Sequence, residues 1–311
     1  NMVFQGYGLF PHMTVKQNIA YGLKIQKINK NEINDRTNEI LKLIKLSNRS
    51  VLSVNGADAE KFLQGIITCN VEKISNSSSS YGSILTPQGK LLYDFIIYRK
   101  NKDFFIDTSK LVANDLVKLL SMYKLRSEVI INEQNNLSVY VSLNNKIENI
   151  SNIDPRFFEL GTREILNSDN ELCSTDESLY EKLKINLGIA EVGSEINPGE
   201  VFPMEANLDH LKGIDFKKGC FIGQEVSSRM YRKGNAKKRI VTFQSKDTFT
   251  NDEDLVYNDR IIGRMIKKID NCGIALIKIE TITNPEIKTL SVTSKNEKKN
   301  MVINLPDFFP Q

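Results

Sequence analysis

After Ser50 the apolar residues come in short runs, each closed by a turn signal, and this texture confines the chain to short strands with a few short helices between them. Residues 51–54 (Val-Leu-Ser-Val) predict a strand, and Asn55-Gly56 turns into a short helix carrying Phe62 and Leu63. Ile84-Leu85, the turn Thr86-Pro87-Gln88-Gly89 and residues 91–98 predict strand, turn and strand. Residues 104–107 add a strand, and over 111–124 Val112, Leu116, Leu119, Leu120 and Tyr123 share one face of an amphipathic helix. Strands follow over 129–131 and 138–143, then an Asn-rich loop over 144–152. From Ile240 the pattern is nearly all strand and turn. Leu255-Val256, an Asn258-Asp259 turn and Ile261-Ile262 predict a hairpin, with further strands over 273–279 and 302–305. A small antiparallel barrel or sandwich closes strands of this length. The mixture predicts an α+β fold rather than a doubly wound parallel sheet.

The 311 residues suit about two domains, and a charged fraction of 26% excludes wholesale disorder. No apolar run reaches the ~18–20 residues that cross a bilayer, and no basic-then-apolar leader opens the chain. The expectation is a soluble cytoplasmic protein, or one of the mitochondrial matrix if the source is eukaryotic, with no membrane partner. The chain opens at Asn1 rather than Met, in keeping with a missing start. Cys69, Cys173, Cys220 and Cys272 are scattered, with no C-x-x-C pair and only two His, so no metal site is expected. Cys69, Cys173 and Cys272 read as small buried apolar residues.

The net charge of +4 hides an asymmetry. Between Lys217 and Arg239 stand eight basic residues against the single acid Glu225, a local +7 that leaves −3 on the remaining chain. Such a stretch is either a solvated loop or a seat for an anionic ligand. Specific nucleic-acid binding is not expected, because Tyr231 is almost the only aromatic interleaved and no nucleic-acid-binding motif is present.

The first 46 residues differ in texture. Thr14 and Gln17 form a capping box ahead of Val15, Ile19 and Leu23, and a second helix is predicted over 32–46 with Ile33, Ile40, Leu41 and Ile44 on its apolar side. Residues 2–23, including Val3-Phe4-Gln5-Gly6-Tyr7-Gly8-Leu9-Phe10-Pro11-His12, resemble the Q-loop region of ABC transporter ATPases, which implies that Gln5 is the loop glutamine. No phosphate-cradling G-x-x-x-x-G-K-[ST] loop accompanies them, so neither ATPase activity nor an ABC-transporter partner is expected. Residues 1–46 are read as a short helical appendage whose Phe4, Leu9, Phe10 and Ile19 must dock elsewhere or stay exposed.

The chemistry concentrates in residues 218–225, Lys-Gly-Cys-Phe-Ile-Gly-Gln-Glu. Gly219 and Gly223 permit tight turns and close approach of a ligand. Cys220 lies near Lys218 in sequence, and nearby cations favour the reactive thiolate. Gln224 and Glu225 supply amide and carboxylate groups that can read a heterocycle's edge. A buried Cys in a tight loop is the competing reading.

This octapeptide resembles the signature of the YgfZ family, folate-binding proteins related to the glycine-cleavage T-protein. The likeness continues through Asn55-Gly56-Ala57-Asp58-Ala59, Leu85-Thr86-Pro87-Gln88-Gly89-Lys90 with Asp94, Asp154-Pro155-Arg156 with Leu160-Gly161-Thr162-Arg163, and Phe202-Pro203-Met204-Glu205-Ala206-Asn207-Leu208-Asp209. The resemblance implies a folate-binding core over 47–235 made of two mixed α/β subdomains, a C-terminal β-barrel over 236–311, and a central channel. It implies a tetrahydrofolate-binding protein that assists iron–sulfur cluster assembly or repair, with client or scaffold proteins as partners. Cys220 matches the functional thiol and Lys218 its neighbouring cation. Glu205 falls where the T-protein places a pterin-reading carboxylate, and Arg229, Arg232 and Lys233 would face the folate's glutamate tail. A folate-dependent aminomethyltransferase or methyltransferase is the alternative. Tyr93-Asp94 stands where the T-protein has adjacent acids, leaving Asp94 as a structural or weakly basic group and putting aminomethyl transfer in doubt. His210 reads as a structural ring with its nitrogens satisfied, or as a group near the folate.

Overall fold

The computed structural model describes residues 43–76, 78–143, 152–168, 173–174, 176–234, 236–282, 289–294, 297–306 and 308–309. The resemblance to ABC ATPases, the helix over 14–23 and most of the helix expected over 32–46 lie outside them. The last four residues of that second helix are a strand, β1 (Leu43–Leu46). Ile44 and Leu46 are buried and their neighbours half-buried, an alternation of period two that sheet pairing selects over the helical reading.

β2 (Arg49–Asn55) leads to helix α1 (Ala59–Ile66), whose Ala59, Phe62, Leu63 and Ile66 all face inward at helical spacing. Strands β3 (Ser79–Leu85), β4 (Leu91–Lys100) and β5 (Asp103–Ser109) follow as a meander, then helix α2 (Ala113–Tyr123) and β6 (Ile130–Glu133). Next come β7 (Leu137–Ser142), β8 (Thr162–Asn167), the two-residue β9 (Cys173–Ser174) and helices α3 (Ser178–Asn186) and α4 (Gln224–Lys233). The remaining strands are β10 (Lys238–Gln244), β11 (Asp254–Tyr257), β12 (Arg260–Ile269), β13 (Cys272–Lys278), β14 (Thr289–Ser294) and β15 (Glu297–Asn304).

These strands form three sheets. One runs β3-β4-β5-β2-β6 and is antiparallel throughout. A second runs β8-β7-β1-β9, with β1 antiparallel to β7 and parallel to β9. The third closes as β10-β13-β12-β11-β14-β15, a barrel sealed by β15 pairing back to β10. The hairpin between β11 and β12 turns through Asn258 and Asp259, both at positive φ (49° and 59°), the twist that a two-residue connection needs and that these residue types tolerate.

Side-chain alternation separates two cores. Val241, Phe243, Ala275, Ile277 and Met301 fill the barrel. Ile240, Ile274 and Leu276 point the other way and join the larger core shared by the two open sheets. The barrel is thereby fixed against the sheets through its outer face. Cys69 is buried as expected; Cys272 is only half-buried, because it opens β13 at the tight turn from β12.

Candidate functional site

The signature loop is pinned from below. Lys218 points inward, and its Nζ donates to the backbone carbonyls of Ile67 (2.7 Å) and Cys69 (2.8 Å) while lying 5.6 Å from the ring centroid of buried Phe221. Gly219 and Cys220 between these two anchors face solvent. Burial pushes the Lys218 ammonium down to about 8, with attraction from the Cys69 thiol and Asp215 opposing the shift. Burial likewise pushes the Cys69 thiol up to about 11, against the pull of Lys218. Lys218, expected as a cation beside Cys220, makes its polar contacts beneath the loop, to the backbone carbonyls of Ile67 and Cys69. Asp215 secures the loop's entry: its N–H reaches the Thr68 carbonyl (3.0 Å) and its carboxylate pairs with Lys73 (2.7 Å).

Two motifs that are remote in sequence meet at the loop's exit. Gly223, at φ 77°, caps α4 in the left-handed region, and a Cβ there would stand 2.6 Å from the Thr86 carbonyl oxygen and 3.1 Å from Gly89 Cα. Gly89, itself at φ 80°, packs against Val226 of α4. Gly219 has ordinary backbone, and a Cβ there meets nothing within 4 Å. Gly223→Ala is therefore expected to cost about 2–3 kcal/mol through strain and overlap, and Gly219→Ala less than about 0.5 kcal/mol. Thermal denaturation of the two variants side by side checks this.

Two adjacent grooves flank the loop. One, of about 470 Å³, is lined by Gln224, Glu225, Ser228 and Arg232. The other, of about 510 Å³, has Lys73, Lys212, Lys217 and Asp215 on its walls. Phe216 and Tyr231 line both, stacked with ring centroids 3.9 Å apart and planes 13° from parallel. Of the expected ligand-binding residues, Gln224, Glu225 and Arg232 therefore share one groove. Arg229 and Lys233 are exposed on α4 and line neither. Glu205 is also outside both grooves; its Oε2 accepts from the Phe202 N–H (2.9 Å), which braces its own turn. Among the described residues no group of three His, Cys, Asp or Glu is arranged to hold a metal ion.

Asp94 lies elsewhere, on β4, in a buried polar assembly that sequence reasoning did not identify. Its Oδ1 accepts from the Val192 N–H (2.8 Å) and its Oδ2 from the Tyr81 hydroxyl (2.9 Å). Beside it, Asp107 on β5 takes the Nε of both Arg49 and Arg163 at 2.6 Å. Arg156 chelates Asp154 and reaches Glu191, and Lys184 on α3 lies 3.1 Å from Glu191 and 3.4 Å from Glu195. Lys267 of the barrel strand β12 joins through Glu181 and Glu195. The quoted motifs Asp154-Pro155-Arg156 and Thr162-Arg163 are thus ion-pair elements joining both open sheets to the barrel. Four buried cations (Arg49, Arg156, Arg163, Lys184) meet five buried carboxylates (Asp94, Asp107, Asp154, Glu191, Glu195), so one acid is surplus.

Asp94 is that acid. Burial, then the charge of Glu191, pushes its carboxyl up to about 6, against the pull of Arg49 and the two hydrogen bonds. A carboxyl raised in the folded state destabilises the fold when ionised; the penalty is full above about pH 6 and fades as pH falls toward its ordinary value near 4. Asp94→Asn is accordingly expected to be neutral or stabilising at pH 8, with the difference from wild type shrinking below about pH 6 and closing near pH 4. Melting curves across this pH range test this, and a loss of about 2 kcal/mol or more at pH 8 would mean that the charge is needed.

His210 packs against Phe309 with the rings tilted by 37° and centroids 4.2 Å apart, and Asp209 lies 3.8 Å from its Nε2. Burial lowers its pKa, partly countered by Asp209, so the ring is a neutral packing group beside the C-terminal segment. Asp209 itself forms a forked pair with Arg239 at 2.7 and 2.8 Å.

Known proteins share this architecture. The glycine cleavage system aminomethyltransferase T from Bartonella henselae superposes with a TM-score of 0.67 over 86% of each chain, at 12% sequence identity. A model of the GCVT N-terminal domain matches residues 19–142. The protein named iron–sulfur cluster assembly factor IBA57 homolog, mitochondrial, of Neurospora crassa is 34% identical over 232 residues, which is 64% of this chain but only about half (52%) of that relative's length. Mouse iron–sulfur cluster assembly factor IBA57, mitochondrial, is 26% identical over 307 residues, 86% of this chain and 85% of its own. The chain thus has the glycine-cleavage T-protein fold, carries a GCVT N-terminal domain match, and is a relative of the proteins named iron–sulfur cluster assembly factor IBA57.

Proposed function

We propose that this protein assists the assembly or repair of iron–sulfur clusters in client or scaffold proteins, with Cys220 as its working thiol and tetrahydrofolate as its ligand. The observation that carries the assembly role is the similarity to relatives named for it, one of them matched along most of both chains. Those relatives are named as mitochondrial, which favours the matrix of a eukaryotic cell over the cytoplasm. The loop supports the thiol's part: Lys218, Phe221 and Gly223 anchor it, and Cys220 is left exposed at its tip. A thiol on a fixed loop can meet a sulfur or metal on another protein without unfolding either partner.

For the folate, the groove lined by Gln224, Glu225 and Arg232 offers an amide, a carboxylate and a guanidinium beside the aromatic pair Phe216–Tyr231, a donor set that suits a flat heterocycle with an edge of ring N–H and carbonyl groups. A reduced folate carries one-carbon units on the pterin N5, on the linker N10 or bridging the two; the chain's own residues here would bind and orient the pterin. Aminomethyl transfer is the weaker reading. It needs a base free to reach a substrate nitrogen, and both Asp94 oxygens are engaged by Tyr81 and Val192 inside the fold.

Calorimetric titration with tetrahydrofolate tests the ligand. Saturable binding is expected, weakened about tenfold by Glu225→Ala, the loss of one charged hydrogen bond. Absence of binding would remove the folate and leave the thiol's role to stand alone.

A further inference from the structure

The turn Thr86-Pro87-Gln88-Gly89 supplies no group to the thiol's chemistry, yet its backbone meets the signature loop at a distance that leaves no room for a side chain on either face. Gly89 is buried, and a Cβ added there would stand 2.8 Å from Val226 Cβ and 3.4 Å from the Gly223 carbonyl oxygen. Across the contact, a Cβ on Gly223 would meet Leu85 Cβ at 2.9 Å. Both faces are braced. The Gly89 N–H donates to the Thr86 carbonyl, the Thr86 N–H to the Lys90 carbonyl, and behind the turn the Leu91 N–H to the Val201 carbonyl, each at 2.8 Å. On the facing side the Gly223 carbonyl accepts from the N–H and the hydroxyl of buried Ser227 at 3.2 and 3.1 Å.

The two ends of the loop stand on one strand. The Ser83 carbonyl of β3 takes the Thr68 N–H (2.9 Å) and the Ser83 N–H reaches Thr68 Oγ1 (2.8 Å), which fixes the Ile67–Cys69 segment that holds Lys218. β3 ends at Leu85, and the turn after it seats Gly223. Lys218 and Phe221 are buried, and only Gly219 and Cys220 between them are exposed. We propose that Gly89 is a positioning residue for Cys220: having no side chain, it lets the β3–β4 turn hold the start of α4, and thereby sets where the thiol stands, three residues before Gly223. The inference rests on the thiol reading above. A Cβ at position 89 would push Val226 and Gly223 away from β3 while Lys218 stays anchored, so the exposed tip would move and the sheets would not. A misplacement of about 1 Å at a reacting group can cost about a hundredfold in rate.

The test joins the cluster content of an iron–sulfur client matured in cells to hydrogen exchange of the purified full chain. Gly89→Ala is expected to lower cluster content about threefold or more. The Gln224 amide, bonded to the Phe221 carbonyl, and the Ser227 amide should exchange about tenfold faster, with the amides of β13 in the barrel unchanged. Adding Val226→Gly removes the atom that the new Cβ would strike, and should restore most of the cluster content and slow the Gln224 amide again. Gly89→Asn, a residue type that tolerates positive φ but brings the same Cβ, replaces Gly89→Ala if the latter does not fold, and is read in the same way. Wild-type cluster content in the position-89 variant, beside an empty client with Cys220→Ser, would overturn the positioning role and leave the thiol's part intact. So would a loss that Val226→Gly does not relieve, or one in which β13 exchanges faster too, the mark of general destabilisation. A fully loaded client with Cys220→Ser would sink the thiol reading, and the role of Gly89 with it.

Discussion

Asp107→Ala is expected to lower the melting temperature by about 10 °C or prevent folding altogether. The aspartate is fully buried on β5 and takes the Nε of Arg49 and of Arg163 at 2.6 Å each, with the Asp107 backbone carbonyl accepting a further Arg49 N–H at 2.8 Å. Burial alone would raise its carboxyl, but Arg163 and Arg49 more than offset it and hold the group below the ordinary carboxylate range. Removing the carboxylate strips two buried guanidiniums of their shortest partner, leaving Arg49 with Glu191 at 3.2 Å and Arg163 with Asp154 at 3.8 Å, acids that other cations already share. Breaking one side of such a pair costs about 3–5 kcal/mol, a large share of a typical net stability of ~5–15 kcal/mol. The sign with pH follows from the same contacts. Stability contributed by Asp107 is present above its unfolded value near 4 and is lost as pH falls through its lower folded value, whereas Asp94 runs the opposite way near pH 6. Thermal denaturation of Asp107→Ala beside Asp94→Asn separates them: two acids of the same assembly, one costly to remove and one nearly free.

The second large effect is in thiol reactivity. At pH 8, iodoacetamide should modify Cys220 at least a hundredfold faster than Cys69. Cys69 is buried and its thiol is pushed up to about 11, so about one molecule in a thousand carries the thiolate at that pH, before access is considered. Cys220 faces solvent. Mass spectrometry of peptides after brief alkylation reads the two sites separately. Comparable rates would mean that the loop opens readily around Lys218, and the rigid presentation of Cys220 would be lost as an argument.

How far the sequence carried these conclusions depended on range. The β11–β12 hairpin was legible because Asn258 and Asp259 are the residue types that accept positive φ, and α1 because the Asn55-Gly56 turn precedes Phe62 and Leu63, both of which it buries. β1 was not, since Ile40, Leu41 and Ile44 fit a helical stripe and only pairing with β7 and β9 selects the strand. The octapeptide shows Lys218 and Cys220 close together in sequence, but not that Lys218 turns inward to the Ile67 and Cys69 carbonyls while Cys220, two residues on, faces solvent. The ion-pair assembly was the largest omission. Asp107 after Phe104-Phe105-Ile106, and the arginines of the mid-chain motif, are charges beside apolar runs, a sign of buried pairing that needed no structure to notice.

The most direct measurement of the central claim is the cluster content of a purified iron–sulfur client matured in cells that carry either the wild-type protein or Cys220→Ser, read by visible absorption, with Gly219→Ala as a loop control. The account predicts that Cys220→Ser melts like wild type yet leaves the client largely without its cluster, while Gly219→Ala supports full occupancy. A client fully loaded in the presence of Cys220→Ser would contradict it.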